Sequence, residues 1–303
     1  MNLTPQPSAG APAPCLICGA TGLQGFYRGP IRTGSFGKSS AKEAEITRCP
    51  ACGAQYLPPV MEDMAAYYQS GNYRQDLDQG NTVEKYFQLS DDEQTFKAEI
   101  LGFHQLRNRV VADVGCGGGS FLDLAKGAAS RTLAIEPDQN YHASLAQRGH
   151  EVFPYASAAL AQYRGGVDVA VSFSVIEHIE RPREFLAEIR ALLKPGGKLL
   201  LSTPNARDFL LEICPEYRAF FYRKVHLWYF DGDALRHLAK LAGFDRCEIQ
   251  FKHRFDLSNF FIWLRDHRPS GLGAIPLDQT VNALWAQSLE KAGRSDYLYA
   301  LLS

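Results

Sequence analysis

Four cysteines fall into two matched pairs, Cys15 and Cys18 in CLICG, and Cys49 and Cys52 in CPACG. Thiolates at C-x-x-C spacing suit a tetrahedral metal ion, and two such pairs supply all four ligands of a structural zinc, leaving no open position for chemistry. Thirty residues separate the pairs, more than is usual for a ribbon. Loop-closure entropy grows so slowly that the excess costs only about 0.4 kcal/mol, against roughly 10 kcal/mol or more from a structural zinc. Residues 15–58 are rich in Gly and Pro and too few to build a core unaided, which also calls for a staple. Cys116, Cys214 and Cys247 are scattered, as free thiols are in a reducing compartment.

A second constellation is the turn D-V-G-C-G-G-G, Asp113 to Gly119, at the end of an apolar run. Glycines there let backbone approach a ligand, and the helix that follows offers unpaired N–H groups. A dinucleotide fingerprint would need glycine at 120, where this chain has Ser120, and the turn lacks the G-K-S/T of a phosphate loop. Glu136 ends the next strand, where a carboxylate can accept hydrogen bonds from both hydroxyls of a ribose. A glycine turn and a ribose acid without a phosphate cradle suit a nucleoside lacking phosphates, a description that S-adenosylmethionine fits. The plain alternative is a tight turn beside a solvated glutamate. The strand context and the downstream acid weigh against it.

A third group, Ser174, Glu177 and His178, follows the fourth predicted strand. If the chain is helical there, spacings of three and four put all three on one face. His226, in VHLWYF, comes after the fifth strand and can reach the same edge. Three roles stay open: His178 as a general base or positioning group, Glu177, His178 and His226 as ligands of Mg2+ or another divalent ion, or a capping Glu177 beside a structural His178. Phe209, Phe220, Phe221, Tyr222, Trp228 and Tyr229 crowd the same region, either as walls of an apolar acceptor pocket or as the core under a long loop.

The elements that must hold these groups alternate. Strands are predicted at Val110–Gly115, Thr132–Ile135, from Val152, at Val167–Phe173 and at Lys198–Thr203, with helices between them. Such alternation implies right-handed crossovers and a parallel sheet covered on both faces. A helix begins near Pro182, where the missing N–H costs nothing, and another is capped at Asp231 and closed by Gly243. Cys247 to Phe251 alternates as a half-buried strand, and Phe260 to Leu264 is expected to pair with it as an antiparallel edge. The boundaries read as a flexible leader at 1–14, a zinc ribbon at 15–58, a helical lid at 59–108, an α/β domain at 109–270 and a helical tail at 271–303. Tyr67, Tyr68 and Tyr73 are candidates to line the lid. In the tail, Val281, Leu284, Trp285 and Leu289 lie in register on one helix.

With 32 basic and 33 acidic residues the chain carries a net charge of −1, which argues against a protein that lives on a nucleic-acid backbone. It has no apolar run long enough to span a bilayer and no signal-type leader, so a cytoplasmic setting is expected.

Residues 109–255 resemble the class I S-adenosylmethionine-dependent methyltransferases, particularly the ubiquinone-biosynthesis-like small-molecule branch. DVGCGGGSF, AIEPD, FSVIEHI and LLKPGGKLLLSTPN follow one another in that family's order. The resemblance implies a Rossmann-like, mostly parallel seven-stranded sheet with one antiparallel strand. It also implies a donor pocket formed by Asp113, Gly115, Cys116, Gly117 and Gly119, with Glu136 on the ribose and Pro137 beside the adenine. Phe173 and Tyr73 complete the expected wall. E-H at Glu177–His178 with a distant His226 is similar to the E-x-x-E-H metal site of small-RNA 2′-O-methyltransferases, except that Ser174 replaces the first Glu. The N/D-P-P-Y segment associated with planar nitrogen acceptors is missing. A four-cysteine N-terminus also resembles zinc-ribbon methyltransferases of bacterial sugar and natural-product pathways. The expected activity is therefore O-methylation of a small molecule. The alternatives are C-methylation of a nucleotide sugar, or a zinc-ribbon nucleic-acid-binding protein using the fold as scaffold.

Overall fold

The structure is a computed structural model in which residues 14–34, 38–59, 63–71, 73 and 82–303 are described. Most of the expected leader, Met61, and 74–81 of the expected lid lie outside the described residues. The strands, in chain order, are β1 Gln24–Gly29, β2 Ala44–Arg48, β3 Gln55–Tyr56, β4 Val110–Val114, β5 Arg131–Ile135, β6 Glu151–Phe153, β7 Val167–Phe173, β8 Leu193–Pro204, β9 Trp228–Tyr229, β10 Cys247–Lys252 and β11 Tyr297–Leu302.

Seven of them form one sheet in the order β10-β11-β8-β7-β4-β5-β6. β4 pairs in parallel with β5 and β7, β5 with β6, and β7 with β8. The central strands are buried on both faces, with Val111, Ala112, Leu133, Ala134, Ala170 and Val171 all inaccessible to solvent. This is why they read as apolar runs rather than alternating ones. Asp168 locks the start of β7 to its neighbours. Its carboxylate accepts from the Val110 amide at 2.9 Å and from Lys194 Nζ at 2.8 Å. Burial alone would raise this carboxyl, but Lys194, the Val110 amide and Arg109 hold it below the usual range.

Two expectations at the far edge need correction. Phe260 to Leu264 is not a strand: it lies in the helix Leu257–Asp266, whose cap Asp256 accepts from the Asn259 amide. A five-residue apolar run does not distinguish helix from strand, and the cap decides it. The antiparallel strand is β11, which lies between β8 and β10 and runs against both. Residues 271–303 are therefore not a wholly helical tail. Helix Gln279–Lys291 is present, but Val281 and Leu284 are exposed and of the expected stripe only Leu289 is buried.

The helices fill the layers as their patterns require. Pro182 opens Pro182–Leu192, whose Leu186, Ile189 and Leu192 are buried. Asp231 caps Gly232–Leu241 by accepting from Ala234 N at 2.8 Å, and Leu235, Leu238 and Ala239 are buried there.

The N-terminal module has its own sheet, β1-β2-β3, and β9 of the larger domain adds a fourth strand to it. Backbone bonds continue the join: Leu57 N donates to Leu227 O at 2.8 Å, and Leu227 N to Glu177 O at 2.7 Å. Inside the protein, the Tyr222 hydroxyl donates to Gln55 Oε1 at 2.8 Å.

Candidate active site and cysteine cluster

The glycine turn leaves the carboxyl end of β4, where an open parallel sheet presents ligands. Gly115 N donates to Ile135 O at 2.7 Å, tying the turn to β5. Gly115 and Gly117 have φ of +81° and +54°, conformations that a side chain at either position would strain. There is also no room: a Cβ on Gly115 would lie 2.4 Å from Val175 Cγ2, and one on Gly117 2.4 Å from the Tyr86 ring. Tyr86, from helix Val83–Ser90, lies over the turn and donates from its hydroxyl to Cys116 O at 2.9 Å.

Glu136 faces the turn from the end of β5. Its carboxylate accepts from Gly117 N at 2.6 Å and from Asp138 N at 2.8 Å. Turn and acid are thus held as one unit at the same rim.

Gly115, Gly117, Glu136, Pro137, Phe173 and Tyr73 line a cavity of about 970 Å³ together with Glu177, His178 and His226. Asp113, Cys116 and Gly119 do not line it. Asp113 is buried behind the turn, where burial pushes its carboxyl up to about 7 against the pull of Lys97. The Cys116 side chain packs into the core beside Phe121 and Tyr141, and burial raises its thiol. Gly119 caps helix Ser120–Lys126.

After β7 the chain, which also lines the cavity, does not form the α-helix considered above. Ser174 is left-handed at φ +57° and its hydroxyl bonds that of Tyr297. A short 3-10 turn follows over Ile176–His178. Even so, ligand atoms of Glu177, His178 and His226 all lie within 4.8 Å of one another. Glu177 is buried, and neither carboxylate oxygen makes a hydrogen bond of ordinary geometry among the described residues. Burial pushes its carboxyl up to about 7. His226 Nδ1 is likewise buried without a partner, and burial, then Arg223 and His178, drive its pKa well down.

His178 Nδ1 lies 2.8 Å from Val225 O and 2.7 Å from the Tyr68 hydroxyl. A carbonyl only accepts, so the proton sits on Nδ1 and the basic lone pair is on Nε2. Tyr68 and Tyr73 both line the cavity and meet the His178 ring edge-on at 5.6 and 5.4 Å. Tyr67 packs against both tyrosines.

Tyr86, Arg223, Arg254, Asp296 and Tyr297 also line the cavity, and sequence reasoning missed them. Arg254 donates from Nε to Asp296 at 2.7 Å and lies 3.8 Å from the Tyr297 ring centre. Reading Y-L-Y-A-L-L as a buried strand would have brought Asp296 and Tyr297 to the sheet's edge. Among the aromatics expected in this region, Phe220 and Phe221 line the cavity, whereas Tyr222, Trp228 and Tyr229 are buried as core.

The four paired cysteines converge. Sγ of Cys15 and Cys52 are 3.8 Å apart, Sγ of Cys18 and Cys49 3.6 Å, and all four sulfurs fall within 4.8 Å of one another. A tetrahedron with Zn–S of about 2.3 Å has sulfurs about 3.8 Å apart, so the donor set fits zinc. The two knuckles match: Gly19 N donates to Cys15 O at 2.8 Å and Gly53 N to Cys49 O at 2.9 Å.

A methyltransferase domain family matches residues 90–248, more than half the chain. A probable S-adenosylmethionine-dependent methyltransferase of Mycolicibacterium smegmatis is 35% identical over 144 residues, 47% of this chain and 54% of that protein. The mitochondrial ubiquinone biosynthesis O-methyltransferase of Schizosaccharomyces pombe is 36% identical over 102 residues, 31% of this chain and 37% of that protein. The chain thus spans about half or less of the length of these relatives. A SAM-dependent methyltransferase from Archaeoglobus fulgidus shares the fold, with a TM-score of 0.51 at 17% identity over 72% of this chain and 96% of its own. With the sheet order, the glycine turn and the carboxylate bound to it already in place, the match over residues 90–248 makes this chain a member of the methyltransferase domain family.

Proposed function

We propose that the chain transfers the methyl group of S-adenosylmethionine to an oxygen of a small-molecule acceptor, in a natural-product or sugar pathway. One observation supports this reading above the rest: the turn-and-Glu136 unit and His178 line the same cavity. The donor, when bound, supplies an already activated sulfonium methyl, so the protein's work is to align the acceptor and exclude water. Glu136 and the amides of the turn hold the donor. An acceptor hydroxyl must also lose its proton. His178 Nε2 takes it, the Nδ1–H bond to Val225 O fixes the ring, and the resulting imidazolium returns the proton to solvent. Tyr68 and Tyr73 cover the ring.

A second reading rests on the orphaned oxygens of Glu177 and on His226 Nδ1. Two imidazoles and a carboxylate would hold a divalent ion that acidifies the acceptor hydroxyl. Mg2+ prefers all-oxygen sites, so zinc, manganese or iron suits this donor set better.

His178→Ala should lower turnover at least about tenfold while leaving calorimetric affinity for S-adenosylhomocysteine unchanged. Equal loss of both would remove the base assignment. Activity abolished by a chelator that leaves the four-cysteine metal in place would put the divalent ion ahead of the base.

A further inference from the structure

Outside the cavity and the four-cysteine cluster, three further ligating side chains meet. Cys214 Sγ, a Glu216 carboxylate oxygen and a His267 ring nitrogen all lie within 4.8 Å of one another. They come from three helix ends. Cys214 follows helix Leu210–Ile213, Glu216 precedes Tyr217–Phe221, and His267 follows Leu257–Asp266. His267 is left-handed at φ +52°, and its amide donates to Trp263 O at 3.1 Å. In the sequence Cys214 reads as an isolated thiol; the fold brings it an imidazole from a distant helix.

The separations are those of ligands on one ion. Glu216 Oε2 lies 3.6 Å from Cys214 Sγ and 3.4 Å from His267 Nδ1. Metal bonds of about 2.3 Å to sulfur and about 2.1 Å to nitrogen and oxygen, set at tetrahedral angles, put S and O about 3.6 Å apart and N and O about 3.4 Å apart. As a hydrogen bond, by contrast, the imidazole–carboxylate separation is long. The thiol is buried against Tyr217, Phe221 and Trp263, whereas the Glu216 and His267 side chains are about half exposed. An ion can therefore enter from the open side and keep a water there. A thiolate, an imidazole and one carboxylate match zinc and its neighbours in the first transition row. They do not match Mg2+ or Ca2+, which take oxygen ligands.

We propose that Cys214, Glu216 and His267 bind a divalent transition-metal ion of the zinc type, with solvent completing the tetrahedron. The thiol gives up its proton to solvent as its sulfur joins the ion. With three protein ligands rather than four thiolates, this ion exchanges more readily than that of the cysteine cluster. It pins the end of helix Leu257–Asp266 to the start of Tyr217–Phe221, and Tyr217, Phe220 and Phe221 line the cavity. The site stands independently of the methyl-transfer reading.

The test adds Co2+ to the full chain, purified with the zinc of its cysteine cluster retained. About one further equivalent per chain should bind and give the near-ultraviolet absorption of a cobalt–thiolate bond. His267→Ala and Glu216→Gln, both at exposed positions, should each weaken that binding about tenfold or more, and Cys214→Ser should abolish the absorption. Should Cys214→Ser not fold, the two exposed variants decide. A wild type without this absorption overturns the site. So does absorption that survives unchanged in His267→Ala and Glu216→Gln, because cobalt would then sit on the four paired cysteines. Cobalt taken up without thiolate absorption also overturns it, and assigns the ion to Glu177, His178 and His226.

Discussion

Glu136 has two tasks that a single substitution would expose together. Its oxygens accept from the amides of Gly117 and Asp138, and in the proposed function they also accept from the donor's ribose. Glu136→Ala should therefore lower calorimetric affinity for S-adenosylmethionine about tenfold or more; unchanged affinity would remove it from the donor site. The residue was legible because a carboxylate one βα unit past a glycine turn has a stereochemical reason to be there. Arg223 was not legible, because a single arginine between Tyr222 and Lys224 reads as an ordinary surface charge. Only the fold shows that Arg254 has an acid partner, Asp296, while among the described residues Arg223 has none within 4.0 Å. The bond between Tyr68 and His178 was also hidden, since nothing local marks two side chains 110 positions apart as partners.

At the level of elements, strands β4, β5, β7 and β8 were readable as apolar runs closed by glycine or followed by helix signals. β11 was not, because it follows a helix whose apolar residues looked like a docking stripe. Leu298, its second residue, is fully buried, so Leu298→Ala should cost about 2–5 kcal/mol in chemical denaturation. A surface tail would lose under about 0.5 kcal/mol, and such a result would remove β11 from the core. Asp168 gives a pH signature for β7. Its carboxyl sits below the usual range, so its stabilisation is complete above the unfolded carboxyl value of about 3.9 and disappears as pH falls through the lower folded value. The stability advantage of wild type over Asp168→Asn should shrink on acidification; a constant gap from about pH 6 to about pH 2 would contradict the assignment.

On the scale of the whole molecule, the cysteine module and the sheet domain are joined through β9. The purified chain should carry about one zinc, lost in Cys49→Ser; a folded, metal-free wild type would end the zinc assignment. The sequence pointed to the module through its ligand spacing but not to its seat, since β9 is two residues long and hidden in an aromatic run. From Leu57 through Leu227 to Glu177, two consecutive amide-to-carbonyl links run from one unit into the other. Damage to the knuckles, by oxidation or by substitution, would therefore surface as a turnover defect about as readily as a folding one. A screen that scored only donor capture would pass such variants as healthy.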